Sequence, residues 1–151
     1  IKNILNHDFR EKTYKELIQD IPEDRAIIEL NEKEIDFGNV SESKDAFVMK
    51  EFTVKNTGNE DLYIYHVGTS CSCLAAKFID KTHESPKYGR FSFPFGMTVR
   101  ISPGESKRLR VIYDARVNSY FRGFEKRYVY IQTNDLKNPT TQIVVMVNHI
   151  D

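Results

Sequence analysis

Two cysteines separated by one residue, Cys71-Ser72-Cys73, carry the sharpest chemical potential in this sequence of 151 residues. On an extended strand, side-chain alternation puts both sulfurs on one face with Cα atoms roughly 6.5–7 Å apart. That separation lies at or past the upper end of relaxed disulfide geometry, so a bond between them requires a local bend and would be easily reduced. Three roles are open to the pair. As thiolates, Cys71 and Cys73 could hold a soft metal ion such as Cu(I), because sulfur ligands select it. A local, redox-sensitive disulfide is the second role. The third is that of two small buried hydrophobes, a common fate of free cysteine. Structural zinc asks for about four ligands, and only His66 and His83 stand near enough in sequence to help. Thioredoxin-type catalysis is disfavoured, because it uses two residues between the cysteines at a helix start.

Other chemistry-bearing residues are dispersed. His7, His66, His83 and His149 form no HxH or HExxH cluster, which argues against a hydrolytic zinc site. Ser70 lacks the setting of a nucleophile elbow, and there is no phosphate loop. These patterns predict no enzyme and no cofactor. A candidate binding surface is the aromatic loop Phe91-Ser92-Phe93-Pro94-Phe95-Gly96, where Phe91, Phe93 and Phe95 could meet a partner; such aromatics more often cover the end of a sandwich. Lys107, Arg108, Arg110, Arg116, Arg122, Lys126 and Arg127 cluster in sequence with Tyr120, Tyr128 and Tyr130. Basic groups among aromatics can bind an acidic glycan or nucleic acid, but solvated strand faces and guarded sheet edges account for the same residues.

The elements that must position these groups are short and mostly β. Asp8 and Glu11 resemble a capping pair, and Tyr14, Leu17, Ile18 and Ile21 follow at helical spacing until Pro22. This predicts a short amphipathic N-terminal α-helix over about residues 9–19, within an extension spanning residues 1–24. From Arg25 onward the period becomes two. Phe52 and Val54 face one way against Glu51, Thr53 and Lys55. Asn56-Thr57-Gly58-Asn59 supplies turn chemistry through residues that tolerate positive φ. Leu62 and Ile64 resume the inward face, and Val67 breaks the alternation by one, which predicts a bulge near His66. Ser102-Pro103-Gly104-Glu105 fits a type II turn. Leu109, Val111 and Tyr113, then Val129 and Ile131, then Ile143, Val145 and Val147 complete the inward set. About seven strands with turn signals between them indicate an all-β fold, an immunoglobulin-like antiparallel β-sandwich over residues 25–151, with an insertion at about 79–99.

Composition bounds the function classes. Lys plus Arg and Asp plus Glu both total 22, so no excess of positive charge points to a nucleic-acid or membrane-surface partner. No apolar run reaches the roughly 20 residues of a transmembrane helix. A chain of this size buries enough surface to fold without a metal or disulfide.

Phe37-Gly38-Asn39-Val40, Phe52-Thr53-Val54-Lys55-Asn56-Thr57-Gly58, Leu62-x-Ile64-x-x-Val67, Cys71-x-Cys73 and Pro103-Gly104-Glu105-Ser106 occur in an order that resembles a known family. It is a bacterial immunoglobulin-like family common in the Bacteroidetes, the domain of unknown function 1573, similar in turn to major-sperm-protein and Hydin-type Ig-like domains. The resemblance runs over about residues 28–150. It implies an exported, extracytoplasmic, non-catalytic domain in the periplasm or at the cell surface, often carried on a lipoprotein with its lipid anchor upstream. It implies a protein or glycan partner at the cell envelope. The soft-metal (copper) or thiol-redox role of Cys71 and Cys73 is the alternative. Two departures stand out: Ser72 replaces the glycine usual between the cysteines, and the 79–99 connection is longer than usual, so ligand preference could reside there.

Overall fold

The computed structural model describes residues 20–80, 83–90 and 98–151. The helix expected over 9–19 and the loop residues Phe91, Phe93 and Phe95 lie outside them. Ten strands occur among the described residues: β1 (Ile28–Leu30), β2 (Glu34–Val40), β3 (Phe47–Asn56), β4 (Leu62–Thr69), β5 (Leu74–Ile79), β6 (Tyr88–Gly89), β7 (Val99–Ile101), β8 (Ser106–Asp114), β9 (Gly123–Thr133) and β10 (Thr140–His149). They form two five-stranded sheets, ordered β1-β3-β8-β5-β6 and β2-β10-β9-β4-β7. The strand total exceeds the expected seven because β1, β6 and β7 are two or three residues long. Segments that short are defined by pairing with a neighbour, since their own sequence shows no period.

Period-two alternation builds the core. Phe52, Val54, Leu109, Val111 and Tyr113 from one sheet meet Leu62, Ile64, Val129, Ile131, Ile143, Val145 and Val147 from the other, all at most 1% exposed. Each fully buried large aliphatic or aromatic side chain contributes about 1.5–3 kcal/mol of transfer free energy, so the sandwich has its main support here. The register of β4 on β9 shifts between Ile64 and His66, the bulge that Val67 signals. Gly104, at φ +81°, and the Glu105 N–H donating to Ser102 O (2.9 Å) form the expected turn.

The first strand pair is divided between the sheets. β1 runs antiparallel to β3, and β2 runs parallel to β10. β1 covers only residues 54–56 of β3. Past that point Lys50, half-buried, pairs with Glu32 at 2.5 Å. A lysine engaged beside a free strand edge disfavours addition of another strand there.

Candidate functional site

Cys71 and Cys73 are joined by a disulfide. They do not lie on an extended strand. β4 ends at Thr69 and β5 begins at Leu74, and the residues between them turn, bringing the two Cα atoms to 5.1 Å. The expected spacing of roughly 6.5–7 Å for a strand is therefore replaced by one within the relaxed range for disulfides. Main-chain bonds make the bend: the Leu74 N–H donates to Cys71 O (3.1 Å), and the Ser70 N–H donates to Tyr128 O (2.9 Å). The Thr69 hydroxyl lies 2.9 Å from Cys71 O and 3.1 Å from Leu74 O. The Tyr128 N–H donates to the Ser70 hydroxyl (2.9 Å). Cys73 is 1% exposed, whereas Cys71 is half-buried and Ser72 is exposed. Two bonded sulfurs carry no thiolate, so a copper ion at Cys71 and Cys73 would require the reduced pair. Among the described residues no three His, Cys, Asp or Glu side chains group to hold a metal ion.

A disulfide closing over one intervening residue removes little entropy from the unfolded chain, about 1.6 kcal/mol by the loop-length relation. Reduction with dithiothreitol is therefore expected to lower stability by less than about 2 kcal/mol, or about 4–8 °C in melting temperature. Calorimetry on oxidised and reduced protein checks this. Loss of the cooperative transition on reduction would make the bond a structural staple instead.

The turn sits at one end of the sandwich and is tied to the rest of that end. The Asp114 N–H donates to Cys73 O (2.8 Å), and the next amide, Ala115 N–H, donates to Ala46 O (2.8 Å). Ala46 has φ +54° and leads directly into Phe47. A 3-10 turn, Ala115–Asn118, follows β8, with the Asp114 side chain accepting from the Arg116 N–H (3.0 Å). Asp114 also accepts from the Arg116 guanidinium at 3.0 Å through each oxygen, and this hydrogen bonding holds its carboxyl below the usual range. The same guanidinium lies over the Phe47 ring at 5.9 Å. The Ile150 N–H donates to Val40 O (3.0 Å), and Ser41 bonds Asp151, closing the end.

Eight large apolar side chains are exposed among the described residues. Six of them, Phe47, Met49, Val117, Tyr120, Phe124 and Ile150, belong to this end. Phe47 pairs across from Asp114, and Phe124 from Asn148, which fixes their level. Tyr65 and Leu136 lie elsewhere. Phe47, Met49 and Ile112 share a depression of about 260 Å³ on the outer face of β3 and β8, rimmed by Lys77, Lys87, Arg110 and Arg116.

A buried polar group underlies the same end and is not visible from the sequence motifs. Glu125 has a side chain 1% exposed, paired with Arg127 at 3.0 Å and accepting from Asn118 Nδ2 at 3.1 and 2.9 Å. Burial, with the Glu125 carboxylate beside it, pushes ionisation of Tyr113 far above the usual phenol range. His149 is fully buried, its ring edge-on to Tyr113 at a centroid distance of 6.4 Å. The signal that could have found Glu125 is parity, since it shares the inward phase of Val129 and Ile131 on β9.

The basic run does not form one surface. β8 and β9 stand in different sheets, so Arg108 and Arg110 are separated from Lys126 and Arg127. Arg110 and Arg108 both grip Glu51, at 2.8 and 3.1 Å, and the Arg110 bond leads in holding its carboxyl below the usual range. Arg127 is turned inward to Glu125. Tyr128 and Tyr130 stack on each other at 6.2 Å.

Residues 28–100 match the family described as Protein of unknown function (DUF1573). That stretch, β1 into β7, belongs to this family. No curated protein matches the chain in sequence. Among solved structures, the chain is similar to a protein of unknown function from Porphyromonas gingivalis W83, with TM-score 0.64 and 20% identity over 86% of this chain and 50% of that one. It thus spans half the length of that relative. A PapD-like domain of human CEP192 matches with TM-score 0.52 and 14% identity over 82% of this chain and 85% of that domain. The E. coli chaperone DraB matches with TM-score 0.50 and 10% identity, over 82% of this chain and 56% of that one. At these identities the likeness establishes the fold: the chain is an Ig-like, PapD-like β-sandwich. No helix among the described residues is long and apolar enough to cross a membrane.

Proposed function

We propose that this domain is a non-catalytic interaction module that docks a protein partner outside the cytoplasm, through the end of the sandwich bearing Phe47, Tyr120 and Phe124. The carrying observation is that six of eight exposed large apolar side chains among the described residues ring that end, Phe47 and Met49 on the outer face of one sheet, Phe124 on that of the other, and Val117 and Tyr120 in the connection between β8 and β9. Apolar residues scattered singly over a surface need no explanation, whereas a concentration of them marks an interaction surface. A protein suits this end better than a glycan, because Phe47, Val117, Phe124 and Ile150 offer apolar area without hydroxyls to match a sugar. The extracytoplasmic setting, with a lipid anchor upstream, follows from the export typical of the family; the periplasmic chaperone SfaE, which shares the fold at TM-score 0.50, fits that setting.

The test compares two triple variants with the parent: Phe47→Ser/Tyr120→Ser/Phe124→Ser and Phe91→Ser/Phe93→Ser/Phe95→Ser. A partner is captured from envelope extract, identified and purified, and its affinity for each protein is measured. Truncating buried aromatic anchors costs about 2 kcal/mol or more each at hot spots, so the first variant is expected to bind at least about 30-fold more weakly. If the second variant alone loses affinity, the docking surface is the 79–99 insertion instead. Unchanged affinity in the first would remove the assignment to this end.

A further inference from the structure

We propose that Cys71–Cys73 is a redox-active pair that exchanges with dithiols through Cys71, while the turn keeps its shape in both states. The two sulfurs are unequal in access. Cys71 is half-buried between Ser70 and the exposed Ser72, whereas Cys73 is 1% exposed and packs into the core. An incoming thiolate therefore meets the sulfur of Cys71. They are also unequal in chemistry: the Cys73 N–H donates to Cys71 Sγ at 3.2 Å. A hydrogen bond donated to the charged form of a group favours that form, and the thiolate is the reactive form of cysteine. Accessibility and anion stabilisation thus coincide on Cys71, which makes it the exchanging sulfur and Cys73 the resolving one.

The frame does not depend on the sulfurs. Leu74 N–H to Cys71 O, Asp114 N–H to Cys73 O and the Ser70–Tyr128 bonds hold the turn through its main chain and the Ser70 hydroxyl. Reduction leaves these in place, so the thiols stay within reach of each other. Lys87 lines a depression of about 180 Å³ beside Ser72 and puts a positive charge on its border.

The reaction balances with a dithiol as the named reductant. One of its thiolates attacks Cys71 Sγ, and the Cys71–Cys73 bond breaks with its electron pair passing to Cys73, which takes a proton from water. The second thiolate of the dithiol then attacks its own sulfur in the mixed disulfide and expels Cys71, which is protonated in turn. The protein gains two electrons and two protons, and the dithiol becomes a disulfide. In reverse, the Cys71 thiolate attacks a disulfide substrate and Cys73 releases the product.

The wild-type chain is equilibrated in glutathione buffers of graded ratio, quenched in acid, alkylated and weighed, with far-UV circular dichroism recorded in parallel. The pair is expected to pass from oxidised to reduced across the series with the dichroism unchanged. With oxidised glutathione as probe, Cys73→Ser is expected to acquire its adduct on Cys71 at least about tenfold faster than Cys71→Ser does on Cys73. A disulfide that resists excess dithiothreitol until urea unfolds the chain would overturn the proposal, as would equal adduct rates in the two variants. The wild-type measurement decides even if a variant fails to fold.

Discussion

Asn56→Ala is expected to destabilise the domain by roughly 3–4 kcal/mol, because one buried amide satisfies four main-chain groups from three segments. Its side chain is fully buried at the end of β3. The Oδ1 accepts from the Ile27 N–H (3.3 Å) and the Gly58 N–H (3.0 Å), while Nδ2 donates to Glu60 O (2.7 Å) and Ile101 O (2.9 Å). The main chain of the same residue adds bonds on the other side, with Asn56 N–H to Glu105 O (3.0 Å) and Gly104 N–H to Asn56 O (2.8 Å). Truncation therefore leaves two carbonyls and two amides wanting partners beneath the apolar layer. Asn56→Asp is the informative companion. It keeps the acceptor but directs a carboxylate oxygen at the carbonyls of Glu60 and Ile101, so it should be no better than alanine. Urea unfolding of both variants measures the effect. A loss below about 1 kcal/mol for alanine, the worth of a single ordinary hydrogen bond, would show that water replaces the amide.

What the sequence made legible follows one physical line. Features fixed by local geometry read directly: the parity break at Val67 marks the β4 bulge, and Pro103-Gly104 marks a turn whose glycine does take positive φ. Both depend on a few consecutive residues. Features fixed by topology did not. Lys107 to Arg110 and Lys126 to Arg127 are near in sequence, yet the 3-10 turn at Ala115–Asn118 carries the chain from one sheet to the other and parts them. Arg127 looks like a solvated charge until its partner Glu125 is seen on the inward phase of β9. The sequence around the cysteines suggests a strand, and the turn between Thr69 and Leu74 changes their spacing and therefore their chemistry. The apolar end was hidden for the same reason. Phe47, Val117, Phe124 and Ile150 come from β3, the 3-10 turn, β9 and the residue after β10, and their place at one end of the sandwich shows only when the register of β3 on β8 and of β9 on β10 is known.

Gly58→Ala carries the second large effect, about 3 kcal/mol, and it separates two reasons for a glycine in a turn. The run Asn56-Thr57-Gly58-Asn59 suggests a residue chosen for positive φ, yet the glycines with positive φ among the described residues are Gly38, Gly104 and Gly123. Gly58 is instead crossed by another stretch of main chain. A Cβ there would collide with Arg25 O and stand 2.7 Å from Ile27 N, closer than real Cβ contacts come. Neither obstacle is the movable tip of a side chain. The segment cannot simply retreat, since Thr57 N–H donates to Ile27 O (2.9 Å), Asn59 N–H donates to Arg25 O (3.0 Å) and Arg25 N–H donates to Asn59 Oδ1 (2.9 Å). Making room for one methyl group thus breaks the bonds that seat the lead-in to β1, and forcing volume into a close-packed site costs about 1–3 kcal/mol even without such losses. Thr57→Ala, at an exposed neighbouring position, should stay within about 0.5 kcal/mol of the parent. Thermal unfolding of the two variants, with hydrogen exchange at Thr57 and Asn59, provides the comparison. If Gly58→Ala melts with the parent and those amides remain protected, the close approach of the two main chains does not constrain this position.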